Sequence, residues 1–190
     1  MKSLHYVIVK ADSTYVNQED VDGIEYTVNV DIDNVKSINR TAEVVCAPDG
    51  SNLSSGDTVV IHHNIMRENI HTSGKKTRGN YYIADNHWWC PMSEVIMKKD
   101  KRNKWVPLEN FLFVRPIKQE DIELSFGITL KPRSYKGMQE KKGIIVIGND
   151  KLTGACVGDT VYLTDHSEHE FIIDGELLYK CEIEDILGKE

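Results

Sequence analysis

The tetrapeptide Gly-Asp-Thr-Val occurs twice, at Gly56-Asp57-Thr58-Val59 and at Gly158-Asp159-Thr160-Val161, and its surroundings recur in the same order. An aliphatic run comes first in each copy: Tyr6-Val7-Ile8-Val9, then the run around Phe113. A hairpin ending in a cysteine follows, at Cys90 and at Cys181. Ser93-Glu94-Val95-Ile96 and Glu184-Asp185-Ile186-Leu187 close the two copies. Shared order over short identities is the mark of a duplicated unit. The expected domains are 1–97 and 111–190, with a charged linker at 98–110.

The local signals are those of strands. Glu43-Val44-Val45-Cys46 runs into Pro48-Asp49-Gly50, and Gly56-Asp57 turns the chain into Thr58-Val59-Val60-Ile61. Thr27 to Asp33 alternates, which predicts a strand with Val28, Val30 and Ile32 on one face. His62 to Asn80 reads as a polar loop. Tyr81-Tyr82-Ile83 and His87-Trp88-Trp89-Cys90 flank Ala84-Asp85-Asn86 as a hairpin. Trp88 and Trp89 adjoin on a strand, so one faces the core and the other is an interface or ligand candidate. In the second copy, Phe171-Ile172-Ile173 and Glu176-Leu177-Leu178-Tyr179 flank Asp174-Gly175, a pair suited to a type I′ turn. Helical periodicity is almost absent. The chain is expected to be all-β, two small barrels in tandem with few free edges.

Between Phe111-Leu112-Phe113-Val114 and Gly143-Ile144-Ile145-Val146-Ile147 lies a polar loop, Lys118 to Lys142, carrying Gly127-Ile128-Thr129-Leu130. Val157-Gly158-Asp159 and the terminal Asp185-Ile186-Leu187 follow. In this order the segments, over about residues 111–188, resemble the chaperonin-10 family of GroES-type co-chaperonins. The resemblance implies two GroES-like small β-barrels and no bond chemistry or cofactor. It implies a homo-oligomeric ring that caps a GroEL-type chaperonin and assists ATP-dependent folding. Gly127, Ile128, Thr129 and Leu130 would be the chaperonin-binding edge of a mobile loop. Ile128 and Leu130 would enter an apolar groove, and Gly127 would permit the bend before them. The bland alternative makes Ile128 and Leu130 one more strand edge.

The first copy holds Asp22-Gly23-Ile24-Glu25-Tyr26 at the matching place, with Glu25 inside the hydrophobic edge. It is therefore not expected to dock. The links 49–55 and 150–156 are too short for the roof hairpin of bacterial members, which points to phage-encoded relatives. A rival function is a viral capsid or tail component built on the same fold. The fold also occurs in zinc-dependent alcohol dehydrogenases, but no Gly-x-Gly-x-x-Gly is present for a nucleotide-binding unit.

Composition limits the remaining classes. A net charge of −7 argues against nonspecific nucleic-acid binding. No apolar run approaches the ~20 residues of a membrane span, and the N-terminus lacks a signal-peptide stretch, so the expected location is cytoplasmic, the host cytoplasm for a viral protein. Cys46, Cys90, Cys156 and Cys181 are spaced as buried thiols of a reducing compartment. His62, His63, His71, His87, His166 and His169 read as surface residues, because none stands at a standard ligand spacing on a helix. The run Lys98 to Lys104 reads either as a solvated linker or loop, or as an anion-binding patch.

Overall fold

The Gly-Asp turns fold alike in both halves. Gly56 and Gly158 take φ of 89° and 97°, a region that favours glycine. The Gly56 N–H donates to Val44 O at 2.8 Å and the Gly158 N–H to Ile145 O at 2.9 Å. Returning, the Val44 N–H donates to Asp57 O and the Ile145 N–H to Asp159 O. Each carboxylate then caps its own turn: the Ser54 N–H donates to Asp57 Oδ2 at 2.9 Å, the Cys156 N–H to Asp159 Oδ2 at 3.0 Å.

The computed structural model of the protein describes residues 3–15, 18–21, 24–27, 38–71, 76–119, 122–123, 129–130, 138–165 and 169–190. Among these the regular elements are β-strands and short 3-10 turns, with no α-helix. The chain divides into two units, Met1–Leu108 and Glu109–Glu190.

In the first unit the strands are β1 (Val7–Lys10), β2 (Gln18–Val21), β3 (Ile24–Thr27), β4 (Thr41–Cys46), β5 (Thr58–Ile61), β6 (Asn69–Ile70), β7 (Lys76–Thr77), β8 (His87–Cys90), β9 (Val95–Lys99) and β10 (Trp105–Pro107). The second unit holds β11 (Phe111–Lys118), β12 (Ile122–Glu123), β13 (Thr129–Leu130), β14 (Met138–Ile147), β15 (Thr160–Leu163), β16 (His169–Ile173), β17 (Glu176–Glu182) and β18 (Ile186–Lys189). Each unit has one six-stranded antiparallel sheet, β10-β9-β5-β4-β1-β8 and β16-β17-β11-β14-β15-β18. Reversed, the second order is β18-β15-β14-β11-β17-β16, so five strands correspond in sequence to β9-β5-β4-β1-β8. No ladder joins the two ends of either sheet among the described residues.

The cores correspond position by position. Val7 faces Cys90 and Leu112 faces Cys181; Val9 lies between Trp88 and Val44, Val114 between Tyr179 and Ile145. Ile61 pairs with Val95, and Leu163 with Ile186. Apart from the half-buried Ile186, all of these side chains are buried. Both hairpins expected from sequence are present. Asp85 and Asn86 have φ of 48° and 60°, Asp174 and Gly175 of 48° and 84°, the positive angles of a type I′ turn. In the first hairpin the strand opposite β8 is reduced to a bridge between Tyr82 and Trp88.

Three sequence expectations change. The charged run at 98–104 forms the β9–β10 hairpin rather than a linker. Asp100 Oδ1 accepts from the N–H groups of Arg102 and Lys104 at 2.8 and 2.9 Å, which holds the turn and keeps the Asp100 carboxyl below its usual range. Lys98 donates to Asn52 O and approaches Asp57 at 3.8 Å, while Lys99 lies over the Trp105 ring. Cys156 is exposed; the other three cysteines are buried, and all four are free thiols. The loop from His62 to Asn80 contains a 3-10 turn, His63–Ile65, and the β6–β7 ladder. The alternating Val28, Val30 and Ile32 lie outside the described residues.

Trp88 is 2% exposed, whereas Trp89 lies half-buried between Tyr6 and Tyr81 at ring distances of 4.8 and 4.6 Å. Adjacent strand residues thus do face opposite sides. Trp88→Ala should destabilise the first unit by roughly 3–5 kcal/mol in urea unfolding. Trp89→Ala should cost roughly 1–3 kcal/mol, the worth of two aromatic pairs.

Candidate partner-docking site

In each unit the longest excursion leaves between the first and second strands of the sheet. β11 and β14 stay paired as far as Lys118 and Met138, so residues 119–137 depart and return at one point. Within that stretch Ile122 pairs with Leu130 and Glu123 with Thr129. Thr129 and Leu130 therefore belong to a short backbone ladder; Gly127 and Ile128 lie outside the described residues.

The first unit closes its excursion in the same way. Tyr15 bridges Ile38, the Asn39 N–H donates to Thr14 O at 2.9 Å, and Asn39 Nδ2 donates to Ser13 O at 2.9 Å. Arg78 braces this base: its Nη1 donates to Thr14 Oγ1 and to Glu68 Oε1, both at 3.1 Å, and its guanidinium lies over the Tyr82 ring. Beyond the base, Gln18–Val21 pairs with Ile24–Thr27, register Val21 to Ile24. Sequence reasoning missed this hairpin. Its signal was Asp22-Gly23, the two residues left between the strands, which are a strong hairpin dipeptide.

The electrostatics at the two bases differ. In the second unit Lys141 pairs with the Asp165 carboxylate. In the first, the His62 and His63 rings stack at 4.1 Å, and His62 Nδ1 lies 3.6 Å from Glu94. Burial, then the charges of His62, Arg40 and Arg67, push His63 down from 6.5 to about 4. Burial likewise lowers Arg40 and raises the Cys90 thiol to about 12. No group of three or more His, Cys, Asp or Glu residues suited to a metal occurs among the described residues. Nor is any described helix long and apolar enough to cross a membrane.

The chain matches no protein-family model, and no curated protein matches it.

Because His63 titrates lower folded than unfolded, the unfolded chain binds more protons between those two values. The contribution of His63 to stability is complete above about pH 6.5 and is lost as pH falls toward about 4. His63→Gln should flatten that part of the acid limb in urea titrations at stepped pH, leaving stability at neutral pH little changed.

Proposed function

We propose that the chain is a GroES-type co-chaperonin with each unit a small β-barrel. A single observation carries the reading: the same strand order occurs twice, and each copy sends out a long excursion from a closed base. In the second unit that excursion carries Gly127-Ile128-Thr129-Leu130. Ile128 and Leu130 are the groups that enter an apolar groove on the chaperonin. An edge that orders on contact opposes its own affinity, so each one binds weakly. A ring presenting one such edge per chain multiplies the weak contacts. In a closed ring the same two surfaces meet at every joint. Seven chains, each giving one second-unit edge, fit the seven-fold chaperonin of the resembled family, with first units as a further tier.

One observation favours the structural alternative, a viral capsid or tail component. Thr129 and Leu130 pair with Glu123 and Ile122, as a fixed strand edge would. Retention of the chain on a chaperonin column, with and without ATP, separates the two readings.

Ile128→Asp or Leu130→Asp should lower chaperonin binding by about tenfold or more, because a charge in an apolar groove is strongly unfavourable. Ile24→Asp in the first unit should leave it within about twofold, since Glu25 already interrupts that edge. Unchanged ATP-dependent retention of both second-unit variants would refute the assignment. A monomer or tetramer in native mass spectrometry would refute the seven-chain ring.

A further inference from the structure

The pairing registers align the closing strands of the two units. Val59 pairs with Lys98 and Ile61 with Val95, as Val161 pairs with Lys189 and Leu163 with Ile186. Ile96 and Leu187 are therefore counterparts, each the extra residue of the same bulge. Their surroundings differ. In the first unit β10 runs along the outer edge of β9, with Trp105 opposite Lys99 and Pro107 opposite Met97, and the Leu108 N–H donates to Ile96 O at 2.8 Å. Leu108 packs against the core, and Ile96 is 2% exposed. In the second unit β18 ends the sheet, with no further strand paired to it among the described residues, and Leu187 is 69% exposed. Beside that edge lies an open groove of about 420 Å³, whose lining includes Leu152, Ala155, Ile183, Ile186, Leu187 and Lys189. Counted back from the glycines of the two Gly-Asp turns, Ala155 stands where the first unit has the buried Leu53. A smaller side chain and a missing strand thus coincide at one place.

We propose that the outer edge of β18 takes an extended peptide of another protein as a further antiparallel strand, one carrying a basic residue three places before an anchoring leucine. The Glu190 N–H donates inward, to Thr160 O at 3.0 Å, so the amide and carbonyl of Lys189 face the outer edge. Leu187 O is the counterpart of the Ile96 O that the Leu108 N–H engages. The groove then receives the leucine, and Leu187 gains the cover that Ile96 already has.

The segment that covers β9 shows what such an edge accepts. Trp105-Val106-Pro107-Leu108 ends on the leucine, and its proline leaves no N–H on the new outer side. One position differs between the units, and it sets the charge of the partner. Lys99 lies over the Trp105 ring at 4.7 Å, whereas the counterpart of Lys99 is Glu190. Glu190 Oε1 accepts from Lys142 at 2.7 Å and from Tyr162 Oη at 3.2 Å, and the second oxygen of a carboxylate takes further donors. An arginine or lysine in place of the tryptophan forms an opposite-charge cross-strand pair with it. In strand addition of this kind the main-chain bonds give affinity, and the side chains that fit alternate positions give selectivity. The surface uses none of Gly127 to Leu130, so it stands or falls apart from the co-chaperonin reading.

The test is an NMR titration of the full chain with a capped peptide reading Gly-Arg-Val-Pro-Leu-Gly. The amide signals of Leu187, Gly188 and Lys189 should shift, and the Lys189 amide should exchange with solvent about tenfold more slowly at saturation. The same peptide with Glu for Arg should bind about fivefold more weakly, and with Asp for Leu about tenfold or more. Leu187→Asp, at an exposed position, and Ala155→Leu, which installs the first unit's residue, should keep the fold and weaken binding about tenfold. Unshifted β18 amides in peptide excess, or undiminished binding by both variants, would overturn the proposal. So would β18 signals that move with protein concentration alone, alongside a dimer in sedimentation, because the edge would then belong to a second copy. Equal affinity for the Arg and Glu peptides would overturn the basic residue assigned opposite Glu190.

Discussion

One carboxylate in each unit ties three strands together. Asp57 caps the turn between β4 and β5, immediately precedes β5, and approaches Lys98 of β9 at 3.8 Å. Asp159 does the same between β14 and β15, and accepts from Lys189 of β18 at 3.0 Å. The bond from the Cys156 N–H, then that from Lys189, holds the Asp159 carboxyl below its usual range, and the same pairing raises Lys189. The glycine before each aspartate supplies the positive φ the turn needs. The carboxylate adds side-chain bonds to a crossing that the β4–β5 ladder and the backbone bonds of the turn already hold. The repetition of Gly-Asp in the sequence is thus a repetition of a joint.

Most of the sheet was legible because its signals are local. Asp174-Gly175 and Ala84-Asp85-Asn86 carry their own turn chemistry, and the runs around Val59 and Val161 carry their own apolar faces. The β9–β10 hairpin was hidden for the opposite reason. Lys98 and Lys99 look solvated by composition, yet they are strand residues whose ammonium groups reach Asp57, Asn52 O and the Trp105 ring. Such contacts depend on partners distant in sequence, which no window of charge can show. Exposure of Cys156 was equally unreadable, since spacing says nothing about which side of a turn a thiol occupies.

The proposed docking edge is a harder case. Sequence located Gly127 to Leu130 between two strands, and the ladder of Ile122 with Leu130 gives its closing half a backbone partner. The first unit has its own hairpin at the same station, with two residues between its paired strands where the second unit has five. Two copies of one scaffold therefore carry unlike insertions, and they also carry unlike charges beneath them. Lys141 pairs with Asp165, whereas the corresponding register positions of the first unit hold Arg40 and His63. The same backbone hydrogen bond, His62 to Glu94 and Thr164 to Asp185, recurs in both units while the side chains around it differ.

The closed bases have a consequence for how such a chain can change. An isolated bridge, Tyr15 with Ile38, and the end of the β11–β14 ladder, Lys118 with Met138, bring the ends of each excursion together. The entropy of closing the loop is then borne by strand pairing, whatever the interior residues are. Lengthening a loop closed in this way costs little, about 0.6 kcal/mol for each doubling. Insertions, deletions and wholesale replacement between those paired residues are therefore nearly invisible to folding. Selection on a partner can rewrite one excursion while the sheet-forming residues, and the other excursion, drift on separate clocks.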